Sequence, residues 1–321
     1  MSVADQTQSM AAPAGRRTLF GKLTVHQSRV LWGWVFLSPW IIGFLAFYLA
    51  PMVASFVFTF TDLQLTKPDE VQFIGLQNYR TLLKDPYVGI SLRVTLSYML
   101  IALPISILIP LALATLLNSK NLWGRRLFRT LFYMPYMVPI ISVTYIFNGF
   151  LNAQSGWLNR FLETIGISGP NWLYSATWIY PALLMIGIWG TGNAMLTLLA
   201  SMQTVPTELY EAARVDGAGS VTVFRKITLP LITPMIFYNL ILATIGLFRY
   251  FDIPYILSRG TGGPNDITLF YNIYFYRVAF EYDRMGYGAT LAWLLFIIAL
   301  IVTIVLFATA RRWVYYAGGD N

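Results

Sequence analysis

The sequence contains no cysteine, which excludes disulfide bonds, a thiol nucleophile and thiolate metal ligands. Its single histidine, His26, lies in the N-terminal segment and lacks the partners that a histidine-based metal site needs. Charged residues are also scarce, at 11% of the chain against about 25% in a typical soluble domain. These absences argue against metal and thiol chemistry and against a water-soluble fold.

Apolar residues, by contrast, make up 57% of the 321 residues, and aromatic residues make up 16%. A water-soluble chain of this length could not bury so much apolar surface, whereas a lipid bilayer is itself an apolar solvent. Tryptophan and tyrosine also favour the headgroup level of a membrane. The composition therefore predicts an all-α integral membrane protein that crosses the bilayer several times.

Six stretches are long and apolar enough to cross a bilayer, which requires about 20 residues. They are residues 31–59, 90–117, 127–150, 178–202, 231–251 and 287–310. The first is too long for the core of a cleavable signal peptide, so we interpret it as a retained helix. A membrane domain is predicted over 30–312, between polar tails at 1–29 and 313–321. Residues 19–34 are predicted to begin as an interfacial amphipathic helix.

Lysine and arginine placement predicts the orientation, because cytoplasmic loops carry an excess of both. The N-terminal tail, residues 118–129, residues 203–230 and the C-terminus together hold 13 basic and five acidic residues. The other side, with its membrane edges, holds nine of each. Both termini are therefore predicted to be cytoplasmic. This asymmetry explains the net charge of +8 without a nucleic-acid partner.

Proline and glycine interrupt several of the predicted spans. Gly187, Gly190 and Gly192 cluster in the fourth span, and Pro135 and Pro139 lie in the third. Broken helices at membrane depth are tolerated where protein or a water-filled path satisfies the freed backbone groups. The alternative is an ordinary kink, since both residues are frequent in membrane helices.

The segment Thr204–Pro230 is too polar to cross the membrane and predicts a helix–turn–helix on the cytoplasmic face. Thr207 is the expected N-cap of the first helix, with Glu208 in its first turn. Gly217 is the expected stop at C′. Ser220 is the expected cap of a second short helix.

The first helix of this segment carries a small face. Ala212 and Ala213 present little bulk, and Glu211 sets a carboxylate beside them. Such a helix is suited to docking in a cleft on another protein. The charge would contribute only if it were desolvated against a cation, since exposed ion pairs contribute about 0–1 kcal/mol.

The spacing of these residues resembles the permease signature of binding-protein-dependent importers. Every fixed position is filled: Glu211-Ala212-Ala213, Gly217, Ile227 and Leu229-Pro230. The triplet Glu-Ala-Ala alone is common in helices, but the full spaced pattern before the penultimate span is specific. Similarity to the carbohydrate branch is carried by Asp216-Gly217-Ala218, Met134-Pro135-Tyr136 to Pro139, Phe251-Asp252 and Gly262-Gly263-Pro264. The resemblance implies a six-helix type I ABC importer permease of the bacterial or archaeal inner membrane, for a maltose-, multiple-sugar- or glycerol-3-phosphate-type solute.

The resemblance also implies partners. A second homologous permease, as a heterodimer, two ATPase subunits and an extracytoplasmic solute-binding protein are expected. The chain itself is expected to bind no cofactor, with ATP and magnesium held by the ATPase subunits. The residues expected to couple it to the ATPases are Glu208, Glu211, Ala212, Ala213, Asp216 and Gly217.

Residues of the solute path are implied by position in the resemblance and by membrane depth. The fourth span offers Trp189, Gly190 and Asn193, which match sugar-contacting positions of a maltose-type relative. Further candidates are Tyr136 in the third span and Gly246 and Leu247 in the fifth. The alternative for each is ordinary helix packing, because glycine and asparagine commonly join membrane helices.

Arg249 is a further candidate for the path, because a charge within a span is a functional hypothesis by default. We favour the simpler interpretation that it snorkels to the headgroups or pairs with Asp252. A position facing the path would instead favour an acidic sugar or a sugar phosphate.

Two other classes of protein are alternatives for this sequence. A membrane-embedded transferase usually needs acidic residues or histidine at the membrane surface, often with a metal. Glu281, Asp283, Asp252 and Asp266 are spread out and lack ligand-like spacing. A stand-alone secondary carrier often places acidic residues within its spans, where this chain has essentially none. A non-catalytic importer subunit is therefore the favoured interpretation.

Overall fold

A computed structural model describes residues 25–119 and 122–316. Both predicted tails, and the helix predicted to begin at Leu19, lie partly outside these residues. The chain divides into two compact units, residues 1–55 and 56–321.

The described residues are helical almost throughout. Their α-helices, in chain order, are α1 (Val25–Phe44), α2 (Ala50–Phe58), α3 (Gln77–Lys84), α4 (Pro86–Asn118), α5 (Arg125–Tyr133), α6 (Ile140–Phe150), α7 (Trp157–Thr164), α8 (Ile179–Trp189), α9 (Gly192–Gln203), α10 (Thr207–Val215), α11 (Ser220–Val223), α12 (Leu229–Leu231), α13 (Thr233–Phe248), α14 (Asp252–Ser258), α15 (Tyr271–Tyr276) and α16 (Met285–Ala310). Within 25–119 and 122–316 the only extended pairing is one antiparallel bridge between Thr61 and Phe73.

Helices or bent helix pairs occupy all six stretches that the sequence predicts as spans. Among the described residues, four helical runs are long and apolar enough to cross a membrane: His26–Phe58, Pro86–Asn118, Thr233–Ser258 and Met285–Ala310. Two further pairs would each make one span, α5–α6 with a bend of 100° and α8–α9 with a bend of 53°. The predicted all-α class with apolar spans is confirmed for the described residues. The run that corresponds to the fifth predicted span, Thr233–Ser258, extends seven residues beyond the predicted end of that span.

The first unit presents its apolar side chains outward. Helix α1 continues through a π-turn at Leu45–Leu49 into α2, and none of its described residues is buried. Phe36 and Trp40 are 79% and 68% exposed. Only lipid or another apolar protein surface satisfies such a helix.

In the second unit the buried apolar residues form two separate clusters. The upper cluster joins α4, α8, α15 and the start of α16, and includes Ala102 and Ile186. The lower cluster joins the end of α4 to α9 and Ile232, and includes Ala114 and Met195. Along α4, Ala102 and Ala114 are about 18 Å apart at 1.5 Å per residue. The bend between α8 and α9 falls between the two clusters.

A carboxylate holds the upper cluster together at its outer edge. Asp85 caps α4, where its Oδ1 accepts a hydrogen bond from the backbone N–H of Tyr87 at 3.0 Å. Its Oδ2 accepts from the hydroxyl of Tyr287 at 2.6 Å and from the hydroxyl of Tyr274. Burial and this hydrogen bond to Asp85 raise the pKa of Tyr274, which therefore remains a protonated donor. One side chain thus joins α4, α15 and α16.

We expect Asp85→Ala to lower the thermal stability of the purified protein. It removes an N-cap, which contributes about 0.5–2 kcal/mol, and leaves two tyrosine hydroxyls without their acceptor. A melting curve in detergent measures the loss. The exposed Asp69→Ala variant is the control, and equal melting temperatures for the two variants would contradict the assignment.

Candidate coupling loop and solute path

The segment between the fourth and fifth spans is the predicted helix–turn–helix. Helix α10 ends in a left-handed turn at Gly217, with φ +72°. The N–H of Ala218 donates to the carbonyl of Ala213 at 2.9 Å, which closes the last turn. The predicted C′ position of Gly217 is confirmed. The predicted caps are wrong: Pro206 and Gly219 occupy the N-cap positions, and Thr207 and Ser220 are the first helical residues, with no capping side chain.

The loop is attached to the bundle through one face of α10. The hydroxyls of Tyr210 and Thr228 lie 3.1 Å apart in a hydrogen bond. Tyr210 packs against the lower cluster together with Phe224 and Ile227. A displacement of α10 is therefore transmitted directly to the helices of the lower cluster, because close-packed interiors transmit strain.

Apart from this attachment, α10 carries exposed charges. Glu211 and Arg214 are 67% and 64% exposed, and their side chains form a long ion pair of 3.9 Å. Arg214 also donates through its Nε to the carbonyl of Tyr210 at 3.4 Å. Val215 at the end of α10 and Val221 on α11 are 89% and 72% exposed, which adds apolar surface to the loop. The remaining predicted coupling residues lie on the same loop; Glu208, Ala212, Asp216 and Gly217 are exposed, and Ala213 is half-buried.

The two bent spans meet at their bends. A Cβ on Gly192 would lie 2.6 Å from the carbonyl oxygen of Phe132 and 2.8 Å from the Cα of Tyr133. Only glycine permits this approach, since real Cβ atoms do not come so close to backbone atoms. The turn Met134–Met137, which follows directly, is thereby fixed against the start of α9.

The predicted solute-path residues of the third and fourth spans lie within three residues of this contact along the chain. Tyr136 is 51% exposed and Trp189 is 36% exposed. Asn193 is exposed and Gly190 is half-buried. Trp189 also packs edge-on against Phe147 of α6, with ring centroids 5.7 Å apart.

The predicted residues of the fifth span fall on two different faces of α13. Gly246 is exposed, and a Cβ there would meet nothing within 4 Å. Leu247 is half-buried and packs against the upper cluster. Arg249 is exposed and forms no ion pair with Asp252 in the described part of the chain. The pairing suggested for Arg249 is therefore wrong.

Sequence patterns did not predict the contacts of three residues that organise these sites. Tyr210 attaches α10 to the bundle, Gly192 permits the contact between the bends, and Phe147 supports Trp189. The cluster of glycines in the fourth span was a signal for Gly192. Nothing local in the sequence distinguishes Tyr210 or Phe147 from other aromatic residues.

The described residues thus form a bundle with two bent helix pairs and an exposed helix–turn–helix loop. Residues 106–316 match the family model described as "Binding-protein-dependent transport system inner membrane component". The chain belongs to this family of transport permeases, as its signature predicted.

Similar proteins extend the match to nearly the whole chain. The chain is 38% identical to the probable ABC transporter permease protein YesP of Bacillus subtilis (strain 168), over 90% of this chain and 93% of that protein. It is 34% identical to the arabinooligosaccharides transport system permease protein AraP of the same organism, over 92% of each. Its fold is similar to a chain of a bacterial ABC transporter involved in the import of the acidic polysaccharide alginate, with TM-score 0.76, 23% identity and coverage of 89% and 96%.

Proposed function

We propose that this chain is a transmembrane permease subunit of an ATP-driven importer for a sugar, an oligosaccharide or a sugar derivative. Membership of the binding-protein-dependent permease family supports the importer class. The name of a relative covering over nine-tenths of each chain, a permease for arabinooligosaccharides, supports a carbohydrate solute. The subunit performs no chemistry itself.

The observation that carries this proposal is the construction of the coupling loop. One face of α10 is packed into the lower cluster through Tyr210, while Glu211 and Val215 on its other side remain exposed. A self-contained carrier has no use for such a helix. A subunit driven by a separate motor protein needs both faces, one to receive a force and one to transmit it.

In this mechanism two ATPase subunits bind ATP and magnesium and close, and α10 moves with the ATPase on which it docks. The movement passes through Tyr210 to Thr228, which leads into α12 and α13, and through the contacts of α13 to α9. The bundle then switches from inward-facing to outward-facing, and a loaded binding protein delivers the solute. A switch from 1:99 to 99:1 requires about 5.5 kcal/mol of differential binding, which nucleotide and binding protein together supply.

The solute path runs between the two packed clusters, beside a second, homologous permease. Trp189 offers an aromatic face to a sugar ring, and Asn193 offers an amide to two hydroxyl groups. Tyr136 and Gly246 border the same level. The coupling loop and both termini lie in the cytoplasm, as the charge asymmetry predicts.

We expect uptake of a labelled sugar into proteoliposomes to require the second permease, the ATPase subunits, the binding protein and ATP. Omitting any one component should abolish uptake, because none of them is built into this chain. Solute movement by the purified chain alone would instead support a secondary carrier. Chemical conversion of a labelled sugar donor by the chain alone would support a transferase.

A further inference from the structure

Helices α9 and α13 are joined by a polar contact that fixes their register. Asn239 Nδ2 donates a hydrogen bond to Thr197 Oγ1 at 3.1 Å. The helices run in opposite directions, because α9 leads into the coupling loop and α13 leads away from it. Asn193 lies one turn before Thr197 on α9, and Ala243 lies one turn after Asn239 on α13, so the two residues are at the same depth. Gly246 and Arg249 follow further along α13.

Helical geometry places Asn193 and Arg249 on one side of this helix pair. At about 100° per residue, Asn193 is rotated about 40° from Thr197, and Arg249 is rotated about 80° from Asn239. Because the two helices are antiparallel, both rotations turn toward the same side of their contact. Exposure agrees, since both residues are exposed while Phe248 and Met195 on the opposite faces are buried.

The bend of the third span borders this same side. Gly192 holds the backbone of Tyr133, and Tyr136 follows within one turn. The face thus combines an aromatic ring, an amide and a guanidinium, with open space at Gly246 between the last two. We define it as the polar face, formed by Tyr136, Asn193, Gly246 and Arg249.

The charge of Arg249 is uncompensated in the described residues. Its guanidinium has no hydrogen bond or ion pair there, and the amide of Asn193 has no hydrogen bond. Arg249 is the C-cap of α13 and lies within the apolar run Thr233–Ser258, nine residues before the end of that run. A charge within a membrane span is expensive and normally faces a bundle interior or a water-filled cavity.

We propose that Arg249 selects an anionic carbohydrate by donating hydrogen bonds to a carboxylate, sulfate or phosphate group on the solute. A guanidinium offers a planar fork of donors that matches these groups, and such charge-assisted bonds are the strong ones. Asn193 and Tyr136 on the same face supply contacts to hydroxyls and to the ring. The inference rests on the proposed importer function and adds the charge of the solute to it.

A lipid phosphate is the other source of the same chemistry. The polar face favours the solute over a lipid phosphate as the ligand of Arg249, because Asn193 also lies on this face. An unpaired amide is costly in contact with lipid hydrocarbon, and a lipid headgroup bound at Arg249 would not explain it. Arg249 thus shares its face with a second polar group and is not an isolated cation beside lipid.

The experiment compares acidic sugars with their neutral parents in proteoliposomes that contain the complete complex and its binding protein. The labelled pairs are digalacturonate with digalactose, lactose 6-sulfate with lactose, and maltose phosphate with maltose. We expect import of at least one acidic sugar in preference to its parent. Arg249→Gln should reduce uptake of that acidic sugar at least about tenfold and leave uptake of the parent unchanged, and Arg249→Lys should restore part of the loss.

The matched control is Arg160→Gln, which removes an exposed arginine from α7, outside the spans. It should leave both uptakes unchanged. Import of neutral sugars alone, or normal acidic uptake by Arg249→Gln, would overturn the role of Arg249 while leaving the importer intact. If the complex imported neither acidic nor neutral sugars, the proposed importer function would be contradicted as well.

A separate readout distinguishes the lipid source. If the guanidinium bound a headgroup, Arg249→Gln would lower uptake of acidic and neutral sugars alike. Its melting temperature without solute would also fall more in phosphatidylglycerol than in phosphatidylcholine vesicles. Either result would overturn selection of the solute by this residue. We expect the melting temperatures of the variant and the unaltered complex to agree in both lipids.

Discussion

Gly192→Ala should abolish most of the transport activity and lower the melting temperature of the complex. The added Cβ would lie 2.6 Å from a carbonyl oxygen and 2.8 Å from a Cα, both on the backbone of α5. Backbone atoms cannot rotate away as a flexible side chain can, so the two bends must separate. Overpacking of this kind costs about 1–3 kcal/mol, and here it displaces the turn that positions Tyr136.

The chain offers a close control in the same span. Gly187 is also helical, but a Cβ there would meet nothing within 4 Å. Gly187→Ala should therefore retain uptake and should stabilise the helix slightly, because alanine has the higher helix propensity. Uptake and melting temperature are measured for both variants at equal expression. Equal behaviour of the two would disprove the contact between the bends.

Glu211→Ala should reduce ATP-dependent uptake by an order of magnitude or more and weaken association with the ATPase subunits. The free carboxylate is 67% exposed and only loosely paired with Arg214 at 3.9 Å, so it is available to a cation on the docking partner. Once desolvated, such a pair is costly to break, with losses on the order of 3–5 kcal/mol when one partner is removed. Uptake and co-purification of the ATPase subunits measure the effect.

Glu70→Ala is the matched control for Glu211→Ala. Glu70 is 70% exposed and pairs with Lys67 three residues earlier at 3.2 Å, but it lies outside the coupling loop. Loss of an exposed ion pair as such should cost almost nothing. Wild-type uptake and ATPase binding by Glu211→Ala would refute its coupling role. A similar loss from Glu70→Ala would mean that the effect is not specific to α10.

The coupling loop could be predicted closely because its features are local. The spacing of Glu211, Gly217 and Pro230 is read along the chain, and the positive φ at Gly217 follows from the residue type. The caps were predicted wrongly, since Thr207 and Ser220 were placed one position too early in the helices. A one-residue choice between an N-cap and a first helical residue depends on backbone angles that composition does not specify.

The solute path was less predictable for a related reason. Span positions suggested Trp189 and Asn193, but not that Gly192 lets the third span cross beside them. Composition also gave no indication that Leu247 packs inward while Gly246, its neighbour, faces outward. Composition also did not determine whether Arg249 forms an ion pair with Asp252. These outcomes depend on which helices are adjacent and on their rotation about their axes.

Hydropathy and one spaced signature determined the class of this protein and the position of its apolar helices and of the helix–turn–helix between the fourth and fifth predicted spans. Each of those depends on the transfer of side chains from water or on backbone preferences within a few residues. The tertiary structure decided how two bent spans meet at Gly192, how Tyr210 joins α10 to the lower cluster, and which side of α13 carries Arg249. Contacts between distant segments fix these features, because close packing selects one rotation of each helix among several that an apolar sequence allows.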